Sequence, residues 1–121
     1  MTAYLLKCGH SLDGHGQVEL PIPARARPAH LPGPDDTLFV WSHAEGLIGE
    51  ARLRATTADR MHLHPMTQYA EPLPPSWLDG ADREKATIRS KIHCDRHDRL
   101  WLLDTDEIAE LDTARRSKRG D

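Results

Sequence analysis

A small barrel or α+β domain with short peripheral helices is the fold class this sequence predicts, and three observations carry it. The chain has 121 residues, enough for one compact domain and too few for two of ordinary size. Its apolar fraction is 38%, and nine prolines with eight glycines commit much of it to turns and loops, which disfavours a helical bundle. Residues 37–55 carry the two strand-like runs and intervening turn of a β-hairpin.

Residues 3–8, AYLLKC, are expected as the first strand, and SLDGHG at 11–16 as a turn or a capped helix start. Between Pro21 and Pro34, five prolines in fourteen residues forbid a regular helix and disfavour a central strand. An extended loop is expected there, with Arg25, Arg27 and His30 in solvent. In the hairpin, Thr37–Trp41 forms one strand, His43–Gly46 the turn and Leu47–Ala55 the other strand. Strict alternation would turn Leu47, Gly49, Ala51, Leu53 and Ala55 inward and Ile48, Glu50, Arg52 and Arg54 outward. Glycine and alanine in the middle of the inward face leave room for another segment, or a ligand, to approach the backbone.

MHLHP at 61–65 alternates again, with Met61 and Leu63 on one face and His62 and His64 on the other. AEPLPPSWLD at 70–79 is expected as a rigid loop presenting Trp77. Within 81–94, Ile88 and Ile92 fit a helix at i, i+4, whereas Ile88, Ser90, Ile92 and Cys94 also alternate, so a short helix early and a strand late are expected. DRHD at 95–98 reads as a turn and RLWLL at 99–103 as a buried strand with Trp101 in the core. The segment 105–116 reads as a closing helix with Ile108 and Leu111 inward. Asp104 and Glu107 have capping-box spacing, and the basic cluster Arg115, Arg116, Lys118 and Arg119 suits the negative end of that helix. One domain over 1–114 followed by a basic tail, 115–121, is the expected organisation.

The net charge of −3 is spread along the chain, with six basic and seven acidic residues in 1–60 and ten and twelve in the remainder. Neither half is a basic module, which argues against indiscriminate binding to a phosphate backbone and leaves room for a local basic groove. The N-terminal MTAYLLKCGHSLDG has a three-residue apolar patch rather than the apolar core of a signal peptide, and no stretch approaches membrane-spanning length. A cytoplasmic protein is therefore expected, with Cys8 and Cys94 as free thiols.

The arrangement "DTLFVW, turn, GLIGEARL" resembles the central hairpin of the PUA-like superfamily, which includes the EVE, ASCH and YTH domains. "HDRLWLLDTDEIAELD" is similar to the close of EVE-like domains, where a strand leads through an acidic turn into a short helix. The resemblance covers about half the chain. It implies a small, curved, partly open β-barrel with short peripheral helices and a pocket for a flipped-out or modified base. The partners it implies are DNA or RNA carrying a modified or unpaired base, or a free nucleotide; whether a separate nuclease acts beside the domain stays open. No cofactor is expected. On this resemblance Trp41, Ser42 and His43 lie at a barrel rim, where tryptophan stacks on a base and serine and histidine read its edge. Trp77 would be a second wall of that pocket, and Lys7 and Arg89 would hold a phosphate. The alternative is that Trp41 is core and Ser42 and His43 are ordinary turn residues.

Two other classes stay open. Cys8, His10, Cys94 and His97 have the ligand types of a structural zinc site, although C-x-H is not the usual C-x-x-C knuckle; such a site would suit a protein-interaction module. Cys94 lies between His93 and His97 in HCDRHD, which would lower its pKa in a small thiol- or metal-dependent hydrolase if the side chains faced one another.

Overall fold

The computed structural model describes residues 2–8, 19–25, 27–79, 87–94 and 97–118. Seven strands form one sheet: β1 (Ala3–Cys8), β2 (Glu19–Pro21), β3 (Thr37–Ser42), β4 (Gly46–Thr56), β5 (Arg60–Leu63), β6 (Thr67–Leu73) and β7 (Arg99–Leu103). The helices are α1 (Ile88–Cys94) and α2 (Thr105–Lys118), and a 3-10 helix spans Pro75–Leu78. The strand order is β2-β5-β4-β3-β1-β7, with β6 also paired to β4, and no pairing closes the sheet among the described residues. The fold is thus mixed α+β. No described helix is long and apolar enough to cross a membrane.

Strands β1 and β3, both interior to the sheet, pair in parallel, in register from Ala3 opposite Thr37 to Cys8 opposite Ser42. All six residues of each strand are buried, because both faces are covered. Alternation sends Tyr4, Leu6, Leu38 and Val40 into one apolar cluster with β5 and the 22–31 loop, and Leu5, Phe39 and Trp41 into a second beneath the helices. The expected hairpin is present as β3 and β4.

The faces of β4 differ from strict alternation. Val40 pairs with Gly49 and Trp41 with Leu47, so Ile48 is an extra residue, a β-bulge. Leu47 consequently joins the helix-side cluster while Ile48 joins Ala51 and Leu53 in the other, and Ala55 is exposed. Bulges bend a strand, and here the N-terminal half of β4 pairs with β6 and its C-terminal half with β5.

Five further expectations change. Residues 70–73, expected in a loop, end β6; Pro72 is tolerated because β6 pairs only with β4 and keeps an edge free of ladder bonds. Ile88–Cys94 is helical rather than a strand, and Ile88 and Ile92, one turn apart, are fully buried under the second cluster. The basic segment expected as a tail is helical through Lys118. Arg115 lies 3.8 Å over the Tyr69 ring and 3.6 Å from the Glu50 carboxylate, and Arg116 pairs with Asp112 at 2.9 Å, one turn before it. Within the proline-rich loop Arg27 is also tied down, donating to the carbonyls of Pro23 at 2.9 Å and Ala58 at 2.8 Å. Trp101 is only partly buried, packed at the margin of the helix-side cluster with Arg99 over its ring. The SLDGHG turn lies outside the described residues.

The capping box forms. Glu107 N–H donates to Asp104 Oδ1 at 2.8 Å and Asp104 N–H donates to Glu107 Oε1 at 3.0 Å. The other Glu107 oxygen accepts from Lys91 Nζ at 2.7 Å, so one buried carboxylate both caps α2 and ties α1 to it. Glu107→Ala should cost about 2 kcal/mol in urea denaturation, and Glu107→Gln, which keeps the cap, should recover part of that loss.

Candidate functional site

Trp41 and Trp77 come together, with ring centroids 6.0 Å apart and planes tilted by 44°. Their environments differ. Trp41, in the interior of the sheet, is 1% exposed, so it presents no face to a ligand. Trp77 sits in the 3-10 helix, partly exposed, because Pro74 and Pro75 turn the chain after β6 and lay the ring over Trp41. The two rings form a tilted pair, with Trp41 buried and Trp77 partly exposed.

Beside Trp77 lies an open groove of about 480 Å³ lined by Trp77 and Arg89 with Ala109, Glu110, Thr113 and Ala114 of α2. The small α2 residues keep it open, since Ala109 and Thr113 are one turn apart and Ala114 adjoins them. Arg89 fixes the wall opposite. Its side chain donates to the carbonyls of Trp77 and Asp79, both at 2.5 Å, and its guanidinium lies 5.6 Å from the Trp77 ring centroid. Glu110 accepts from the Arg89 backbone N–H at 3.1 Å, meeting one of the donors at the start of α1. The groove therefore offers an aromatic surface, a cation, a carboxylate and a hydroxyl within one site.

Lys7, Ser42 and His43 do not line this groove. Lys7 is 5% exposed and donates to the Ile92 carbonyl at 2.7 Å, which places its charge at the negative end of α1. Ser42 is buried, and its hydroxyl accepts from the Ala44 N–H at 3.3 Å, a local turn bond. His43 lies in the turn after β3, its backbone N–H on the Cys8 carbonyl at 3.0 Å and its Nε2 3.4 Å from Asp98 Oδ1. Of the six residues expected to hold a base, Trp77 and Arg89 thus meet at an accessible surface, and Trp41 backs them. The α2 residues Glu110 and Thr113 were not expected. Their only sequence signal is that they are polar positions on either side of Leu111 in a helix, which does not say what lies beside them.

Cys8 is buried in the sheet, and His10 lies outside the described residues. Among the described residues no group of three or more His, Cys, Asp or Glu side chains is arranged to hold a metal.

Further along α2, Tyr69 donates to Glu50 Oε1 at 3.2 Å beneath Arg115. Burial, and then the Glu50 carboxylate, hold the phenol well above its usual value, with the Arg115 charge acting in the opposite sense. A proton is held more tightly in the folded state than in the unfolded chain. The stability that this contributes is complete below the ordinary tyrosine pKa of about 10 and is lost as pH rises toward the raised value. Alkaline denaturation followed for wild type and Tyr69→Phe should show a weaker pH dependence in the variant.

Compared with known protein families, with curated proteins and with solved structures, the chain has no match.

Proposed function

We propose that this chain is a reader of modified or unpaired nucleobases, built on the curved, partly open barrel of the PUA-like superfamily, with Trp77 as its stacking surface. One observation carries the reading: the partly exposed Trp77 ring is backed by buried Trp41 and walled by Arg89, Glu110 and Thr113. A rigidly backed aromatic ring beside a few polar groups suits a flat heteroaromatic ligand, because stacking loses little when the ring is already fixed. Glu110 can accept from an exocyclic amine, Thr113 can donate or accept, and Arg89 brings positive charge near an attached phosphate. The bulged β4, shared by β5 and β6, supports a curved sheet of the kind the resemblance implies.

Fluorescence titration with nucleosides, nucleotides and short oligonucleotides tests the proposal. Binding should quench tryptophan emission, and Trp77→Ala should weaken it by about 1–3 kcal/mol, roughly ten- to a hundredfold. An unchanged signal across modified and unmodified ligands at millimolar concentration would refute the reading. A protein-interaction module would give that same silence.

A further inference from the structure

Among the described residues β2, β6 and β7 each have one edge without a strand beside it, and the three edges are not alike. β2 carries Glu19 and Pro21, and β6 carries Glu71 and Pro72, charges and prolines of the kind that discourage a further strand from pairing. β7 ends the sheet on the far side of β1, and from Leu100 to Leu103 it has neither a charge nor a proline. Leu102, inside this run, is 45% exposed, and no other large apolar side chain among the described residues is left so open.

The order of residues along this edge is close to symmetric. From Asp98 to Asp104 the chain reads nearly alike in both directions about Trp101, with a leucine on either side of the ring and an aspartate at each end. Two copies of one strand that pair antiparallel about a two-fold axis set each residue opposite the one at the mirrored position. An axis at Trp101 therefore sets Trp101 opposite itself, Leu102 opposite Leu100 of the second copy and Arg99 opposite Leu103. Within one chain Leu102 already lies beside Tyr4 and Leu100 beside Leu6, while Trp101 lies beside Leu5. Pairing would extend these rows through the seam, so that Tyr4 and Leu102 of one copy meet Leu100 and Leu6 of the other. Both apolar clusters would become continuous between the copies.

We propose that β7 is a dimerisation edge, at which two copies of this chain pair antiparallel through Arg99–Leu103 and cover Leu102. A second copy is the occupant because the mirrored order about Trp101 serves no purpose for a foreign strand. The inference stands apart from the base-reading function, since no β7 residue lines the groove beside Trp77. Charge sets a limit on its strength: Asp98 would face Asp104 of the second copy at each end. Asp98 is 3.4 Å from the His43 imidazole and Asp104 accepts from the Glu107 N–H at 2.8 Å, which moderates the repulsion. A five-residue strand pair is a small interface, so the dimer should form at high protein concentration and dissociate on dilution.

Sedimentation equilibrium of the full chain from micromolar to millimolar concentration tests this, with Leu102→Lys as the first variant. Wild type should pass from monomer to dimer, and Leu102→Lys should weaken association by roughly a hundredfold, because the change acts twice in a two-fold pair. The lysine is placed where the side chain is already half in water, so the thermal midpoint of the dilute monomer should stay near that of wild type. Mild oxidation of Trp101→Cys and Leu102→Cys, followed by peptide mapping, reads the register. Cysteines at 101 would face each other within disulfide reach, whereas those at 102 would be offset by two residues along the strand and lie beyond it. A wild type that stays monomeric at millimolar concentration overturns the proposal, and so does a dimer that Leu102→Lys leaves intact. Cross-linking through position 102 in preference to 101 overturns it as well.

Discussion

Replacing Gly46 with alanine is expected to destabilise the protein by about 3–5 kcal/mol in urea denaturation. Gly46 closes the turn between β3 and β4 with φ at +88°, a region that costs an L-residue about 1–2 kcal/mol. Space adds to the torsional cost. A Cβ at this position would lie 1.9 Å from the Leu73 carbonyl oxygen and 2.9 Å from the Pro74 carbonyl carbon, both of them backbone atoms with little freedom to yield. Leu73 and Pro74 lead directly into the 3-10 helix that carries Trp77, so the substitution should also disturb the candidate site. Near-ultraviolet circular dichroism at temperatures where the variant is still folded should show a changed tryptophan environment. A variant with wild-type midpoint and spectrum would mean that the β6 end does not pack against this turn.

Gly49→Val should cost about 3 kcal/mol, although valine is the better strand former by roughly 1 kcal/mol. Gly49 lies opposite Gln68 in the β4–β6 pairing, and an added Cβ would stand 2.5 Å from the Thr67 carbonyl oxygen and 3.3 Å from the Gln68 Cα. The obstruction is at the first side-chain carbon. Gly49→Ala should therefore incur most of the same loss, whereas a shortage of volume further out would penalise valine alone. Equal stability of alanine variant and wild type in chemical denaturation would contradict the close approach of β6.

Both glycines show why part of the fold was legible and part was not. Gly49, small on an apolar face, implies room for a close neighbour, but the neighbour is β6, of which residues 70–73 are expected in a loop and residues 67–69 are assigned to no element by local pattern. Pro72 misleads locally since it removes a ladder donor, and the loss is harmless only at an edge, which is a property of the whole sheet. Ile88 to Cys94 misleads for a related reason: Ile88 and Ile92 satisfy either period, and the choice falls to the helix because both are buried against the cluster that α2 also covers.

The candidate site divides in the same way. Trp41 looked functional because it ends a strand beside serine and histidine, yet a strand flanked on both faces leaves its side chains no solvent, and the ring became the support for Trp77. Arg89 and Trp77, twelve positions apart, are joined by bonds from the arginine to backbone carbonyls, for which sequence carries no pattern.

Residue order by itself determined the elements whose cause is local: the β3–β4 hairpin, the alternation of β5, the capping box of α2 and the exclusion of helix from the proline-rich segment. Those outcomes depend on torsions and hydrogen bonds within a few residues. Tertiary structure alone decided the bulge at Ile48 that redistributes β4 between two clusters, the burial of Trp41 and the opening beside Trp77. Each depends on which distant segment fills the neighbouring space, and close packing permits only one occupant there.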